Sequence, residues 1–208
     1  MATGSVILVE GAPVTEADLT YLALVNYGAY TSFRVEGGGV RGLDLHLARL
    51  EASAIALGEA LRVQPVAYGR EAAHLKHAAG FGLMRARRAA VAAGFDDALL
   101  VDDDGLIAEG TLWNIGFIRG ETVVWPQAPM LAGVAQALIG RGLTSVGLDA
   151  VSEPVRLADL ETFDGAFLCN SATPACAITA IDTLAFAGAE ATIARLQQAW
   201  RSNPRQSI

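Results

Sequence analysis

Along the first third of the chain the apolar positions come in short runs broken by small and acidic residues. Val6 to Val9 followed by Glu10-Gly11 reads as a strand and a turn, and Thr15-Glu16-Ala17-Asp18 has the pattern of a capped helical turn. Ala29 to Val35 predicts a strand, with Gly37-Gly38-Gly39 as a hairpin loop before Val40. Asp44 is placed to cap a helix on which Leu47, Leu50 and Ala54 recur at helical spacing. Val63 to Tyr68 is strand-like, and Gly82 to Ala93 is an alanine- and arginine-rich helix that Gly94 ends.

The rest of the chain alternates more regularly. Ala98 to Val101 and Leu106 to Glu109 flank Asp102-Asp103-Asp104-Gly105, whose aspartates and glycine suit a hairpin turn better than a cation site. Ile115 to Ile118 and Thr122 to Trp125 pair across Arg119-Gly120. A helix is predicted from about Ala132 to Leu143, then a strand near Val151 and a short helix from Leu157 to Phe163. Strands over Ala166 to Cys169 and Ala177 to Ile181 precede a last helix, Ala191 to Trp200. Neither a repeat nor a low-complexity linker interrupts this order, which indicates an α+β architecture with antiparallel strand pairs.

Composition narrows the function. With 52% hydrophobic residues in a chain of 208, a sizeable core is available. The net charge of −7 argues against a nucleic-acid partner, which needs a clustered cationic surface. The longest uncharged stretch, Thr122 to Gly140, holds Pro126 and Pro129 and reads as a loop entering a helix, not as a membrane span. Two cysteines, Cys169 and Cys176, are too few for a disulfide scaffold, and the first residues lack the pattern of a secretion signal. The expected setting is cytoplasmic. Of the 15 lysines and arginines, Lys76 is the only lysine. Either it survives by chance or it stands where arginine fails, because a lysine amine can lose its proton and form a Schiff base.

Four separated segments carry candidate chemistry. His46-Leu47-Ala48-Arg49-Leu50 puts His46 and Arg49 on one helix face. Leu75-Lys76-His77 follows. Glu109-Gly110-Thr111-Leu112-Trp113-Asn114 stands at a strand end, and Leu131-Ala132-Gly133-Val134-Ala135 is a glycine turn opening a helix, whose backbone N–H groups suit a phosphate. Each residue has a plainer explanation when taken singly. Glu109 could be a solvated turn residue, Arg49 a surface cation, Gly133 a helix-entry glycine, and Ser171 a loop former. Arg85, Arg87 and Arg88 read as a solvated helix face. His46 and His77 have no partner at metal-ligand spacing, so no metal is expected.

Taken in order, H-x-x-R-L, K-H, E-G-T-x-x-N and L-x-G-V resemble the class IV (fold type IV) pyridoxal-phosphate enzymes. These include branched-chain and D-amino-acid aminotransferases and aminodeoxychorismate lyase. Tyr27 to Arg34 also resembles the strand after that family's first helix, and Asn170-Ser171 its late phosphate-side loop. The resemblance implies a small N-terminal α/β domain over residues 1–70 and a larger β-rich domain with helices over 71–208, which binds pyridoxal 5'-phosphate. It implies that Lys76 holds the cofactor as a Schiff base and moves a proton during the reaction. Glu109 would keep the ring nitrogen protonated, so that the ring can act as an electron sink. Arg49, Val134, Ala135 and Ser171 would hold the phosphate, and Asn114 would orient Glu109 or the cofactor. The implied reaction transfers an amino group between an amino acid and a 2-oxo acid, in a homodimer whose sites lie near the subunit interface.

Two features depart from the aminotransferase pattern. His77 after the lysine, the Thr31-Ser32 pair and Asn170-Ser171 look more like the aminodeoxychorismate lyase branch, which eliminates pyruvate. Phe81 stands near the place of the tyrosine that follows the lysine in aminotransferases. Arg49 and Lys76 are also closer in sequence than is usual, which predicts either an abbreviated small domain, with Val63 to Tyr68 as one of its strands, or a missing internal segment. A non-catalytic pyridoxal-phosphate-binding or structural relative is the alternative of another class.

Overall fold

A computed structural model of the chain describes residues 8, 9, 12, 13, 15, 35, 36, 39, 40, 61–77, 80–171, 173–187 and 189–204. Its contacts divide the chain into two units, residues 1–57 and 58–208. In the first unit, β1 (Leu8–Val9) pairs antiparallel with β2 (Ala12–Pro13), and β3 (Val35–Glu36) with β4 (Gly39–Val40). The latter is the hairpin expected around the three glycines. The helix expected after Asp44, with His46 and Arg49, lies outside the described residues.

The second unit is a nine-stranded mixed sheet with helices against it. In chain order its elements are β5 (Leu61–Ala67), α1 (Phe81–Ala92), β6 (Asp97–Val101), β7 (Ile107–Gly110), β8 (Asn114–Arg119) and β9 (Thr122–Pro126). Then come α2 (Val134–Gly142), a 3-10 turn (Leu143–Val146), β10 (Asp149–Glu153), a second 3-10 turn (Leu157–Thr162), β11 (Gly165–Cys169), β12 (Cys176–Ile181), β13 (Leu184–Ala185) and α3 (Glu190–Arg201). The sheet runs β10-β9-β8-β11-β12-β5-β6-β7, and β13 pairs with β12.

Every residue of β6 and β11 is buried, and apart from Asp97 at the start of β6 they are apolar or small, as in strands covered on both faces. One side of the sheet packs Val63, Leu99, Ile107, Ile115, Phe117 and Ile178 together. On the other, α2 and α3 cover Ile118, Val123 and Phe167 with Ile139, Ile193 and Leu196. These two helices approach closely at Gly142, where a Cβ would run into the Ala199 backbone. Helix α1 lays Leu83, Ala86 and Ala90, one helical stripe, on Ala98 and Leu100. Among the described residues no helix is long and apolar enough to cross a membrane.

The expected antiparallel hairpins are β6–β7 and β8–β9, and β8–β11 and β11–β12 are antiparallel as well. The pairs β5–β6, β9–β10 and β12–β5 are parallel, which makes the sheet mixed. A parallel pair needs a crossover, and α1 and α2 supply it for the first two. Strand β5, expected to serve the small domain, lies inside the large sheet between β12 and β6. Pro65 is tolerated there because β5 pairs with β12 only from Leu61 to Val63, so its missing N–H faces no partner on that side.

Candidate functional site

Strand β7 ends on Glu109-Gly110, and the Glu109 side chain is buried rather than solvated. Its Oε1 accepts a hydrogen bond from Arg70 Nη1 at 2.7 Å, and its Oε2 accepts the Leu131 N–H at 3.2 Å. Burial pushes the Glu109 carboxyl up from its ordinary value, and the bonds from Arg70 and Leu131 pull the other way without cancelling it.

Asn114 opens β8 beside this carboxylate. Its Nδ2 donates to the Leu131 carbonyl at 2.8 Å, and its side chain lies against Gly133, where a Cβ would run into Asn114 Oδ1. Leu131 is therefore held at its N–H by Glu109 and at its C=O by Asn114. This is how the segment 109–114 is joined to the segment 131–135, and it gives Gly133 a steric reason to be glycine.

Gly133 is the extended N-cap of α2, and no side chain caps that helix. The first-turn N–H groups of Val134, which is exposed, and Ala135, which is buried, suit an anion. Strand β11 runs against β8 with Cys169 opposite Asn114, so Asn170-Ser171 leaves the sheet at the same end. There Asn170 Oδ1 accepts the Thr173 N–H at 2.7 Å and shapes the turn, while Ser171 is exposed.

Lys76 lies in an exposed segment after β5. A Leu75 N–H to Ala72 carbonyl bond of 2.8 Å closes a turn there, with Ala72 at a φ of 47°. Arg70 Nη2 donates to the Leu75 carbonyl at 3.1 Å while Nη1 holds Glu109, so one guanidinium joins the lysine segment to the buried carboxylate. Arg70 is only 10% exposed, and its Nε is buried without a hydrogen-bond partner. A cavity of about 200 Å³ is lined by Tyr68, Arg70, Leu106, Glu109 and Pro129, among others.

Sequence reasoning did not single out Arg70; the available signal was that a buried glutamate requires a cation. Nor did it single out Asp97. Arg87, read as part of a solvated face, is half-buried with Nε 3.9 Å from Asp97 Oδ2, whereas Arg85 and Arg88 are exposed. Phe81, at the start of α1, is 82% exposed. Among the described residues no cluster of metal-ligating side chains occurs.

Comparison with known proteins finds likenesses in sequence and in fold. A family described as amino-transferase class IV matches residues 59–181. A probable branched-chain-amino-acid aminotransferase of Rickettsia conorii is 30% identical over 144 residues, covering 68% of this chain and 45% of the relative. One from Rickettsia felis is 35% identical over 109 residues, covering 51% and 38%. The chain thus spans less than half the length of these curated relatives. Among solved structures, the fold IV-transaminase CpuTA1 from Curtobacterium pusillum superposes with a TM-score of 0.62 at 24% identity, over 69% of this chain and 53% of that one. A putative 4-amino-4-deoxychorismate lyase from Legionella pneumophila gives 0.64 at 21% identity, over 70% and 56%. These likenesses establish fold type IV for the sheet and its helices.

Proposed function

We propose that this chain, which belongs to the amino-transferase class IV family, is a pyridoxal-phosphate enzyme that moves an amino group between an amino acid and a 2-oxo acid. The observation that carries the reading is the buried Glu109 carboxylate. It stands at one end of the sheet with the uncapped start of α2, and Arg70 connects it to the segment of the only lysine.

The residues fit the cofactor group by group. A ring nitrogen that must stay protonated needs a buried acceptor, and Glu109 retains acceptor capacity because each carboxylate oxygen can take two hydrogen bonds. A phosphate needs N–H donors, which Val134 and Ala135 offer, with the Ser171 hydroxyl as a further ligand in this proposal. An aldehyde needs an amine, which Lys76 provides. When bound, the cofactor supplies an electron sink for charge developing at the substrate. Glu109 holds the proton at the ring nitrogen, Asn114 fixes Leu131 and through it Glu109, and the Lys76 amine takes and returns the substrate Cα proton.

The relatives named as branched-chain-amino-acid aminotransferases favour an aliphatic amino acid as the first donor to test. The second reading is lyase-type elimination of pyruvate, favoured by His77 after Lys76 and by the solved lyase-named structure of the same fold. The proposal further includes a cytoplasmic homodimer. A visible absorption spectrum of the purified protein with pyridoxal phosphate, before and after borohydride, tests the cofactor. Release of a 2-oxo acid from leucine in exchange for an amino acceptor supports the transaminase, and pyruvate released from aminodeoxychorismate supports the lyase. A cofactor band with neither activity identifies a non-catalytic binder, and the absence of a band overturns the proposal.

A further inference from the structure

The buried polar side chains among the described residues are Asp97, Glu109, Thr111 and Asn114, and all four meet around one turn. Glu109 stands at its entrance on β7 and Asn114 at its exit on β8. Thr111 lies within it, and Asp97 faces it from β6. Glu109 and Asn114 have roles in the proposed chemistry, whereas Asp97 and Thr111 so far have none. A carboxylate with 3% exposure is costly to bury unless donors meet its oxygens. Here they are met. Oδ1 accepts the Ala98 N–H at 2.7 Å and the Thr111 hydroxyl at 2.8 Å, and Oδ2 accepts the Trp113 indole N–H at 3.0 Å. Arg87 Nε stands 3.9 Å from Oδ2.

The position of Asp97 explains this pattern. Strands β6 and β7 pair as far as Leu99 opposite Gly110, where β7 ends. Asp97 lies beyond that last pair, so its side chain, not its backbone, meets the departing segment. It holds Thr111 and Trp113. Trp113 then folds over Gly110, where a Cβ would run into the indole, and the Gly110 N–H donates to the Trp113 carbonyl at 2.8 Å. The turn is thereby closed, with Glu109 and Asn114 at its two ends and Leu131 held between them.

We propose that Asp97 is a positioning residue for Glu109, fixing through Thr111 and Trp113 the turn that aims the Glu109 carboxylate. The inference rests on the pyridoxal-phosphate function above, since that function gives the direction of Glu109 its importance. A side chain that only supported the fold would act independently of Glu109, and a double-mutant comparison separates the two roles.

The test titrates pyridoxal phosphate into wild type, Asp97→Asn, Glu109→Gln and the double variant, and records the visible band, cofactor Kd, kcat and KM. Asparagine keeps the shape but offers one acceptor oxygen where the carboxylate offers two. Asp97→Asn is expected to bind the cofactor with a Kd near the wild-type value and to shift the band in the same sense as Glu109→Gln. It should lower kcat about tenfold at unchanged KM, the scale of one weakened hydrogen bond to a charged group. In the Glu109→Gln background it should lower kcat no further. Losses that multiply in the double variant, or an unshifted band with wild-type kcat, would overturn the inference. If Asp97→Asn does not fold, Trp113→Phe removes one of the same hydrogen bonds and must reproduce the pattern; a folded Trp113→Phe with wild-type band and kcat overturns it. Wild-type protein that takes up no pyridoxal phosphate overturns the functional reading and this inference together. Wild type that binds, beside an indistinguishable Asp97→Asn, overturns this inference alone.

Discussion

Glu109 and the Lys76 segment are both tied to Arg70, yet their surroundings are opposite. Glu109 is 4% exposed and both its oxygens are bonded, whereas Lys76 stands in an exposed turn beside a Leu75 that is 52% exposed. The contrast follows the chemistry proposed for each. A group that holds one proton at a fixed place gains from a rigid, dry setting, because fixed partners cost no reorganisation. A group that takes a proton and returns it needs room to move between two positions. Glu109 is thus built into the sheet, whereas Lys76 stands on a connection that the Arg70 guanidinium ties to it.

The largest effect should come from the open end. Lys76→Ala removes the amine and should lower turnover by at least about 10²–10⁴-fold from the lost proton transfer alone, while the folded state stays near wild-type stability. Parallel activity and thermal-melting measurements check this, and a large loss of Tm would break the contrast between the two ends. Arg70→Met should act mainly on the buried end. It leaves Glu109 buried without its cation, which costs about 3–5 kcal/mol in comparable buried pairs, read by denaturant unfolding.

Glu109→Gln should weaken catalysis more than cofactor binding. Losing a charge-assisted hydrogen bond is worth about 1.5–3 kcal/mol, a tenfold to hundredfold fall in kcat, with the cofactor still bound by titration. A smaller effect concerns pH. Because burial raises the Glu109 carboxyl above its ordinary value of 4.5, the folded state binds the proton more tightly than the unfolded chain. Stability from this group is present below the unfolded value and lost as pH rises through the raised one. Relative to Glu109→Gln, wild type should therefore lose stability as pH rises through that window, and the opposite slope would contradict the burial argument. Least of all should the cysteines matter. Burial pushes the Cys169 thiol up to about 12, so an alkylating reagent at mildly alkaline pH should leave it unmodified until the chain unfolds.

Most strands and helices of residues 61–204 were legible in the sequence because apolar runs end at residues with a mechanical reason to turn. At the β6–β7 hairpin, Asp102 Oδ1 accepts the N–H groups of Asp104 and Leu106, and Gly105 takes a φ of 75°. The order of motifs likewise pointed to Glu109, Asn114 and the start of α2, which the fold brings together. What the sequence did not reveal depends on long-range partners. The place of β5 beside β12 joins Leu61 to Thr179, and no local pattern encodes that pairing. Arg70 and Asp97 stand in no motif, and their importance shows only with the buried groups they bond. Arg87 belongs to a helix that looks solvated, yet it turns toward Asp97.

The central claim is that Lys76 is the cofactor-bearing amine, and borohydride reduction of the pyridoxal-phosphate-loaded protein followed by peptide mass mapping tests it most directly. The account predicts a reduced cofactor adduct on the peptide containing Lys76 and none on Lys76→Ala treated in the same way. No adduct on the wild-type peptide, or an equal adduct elsewhere in the Lys76→Ala protein, would contradict it.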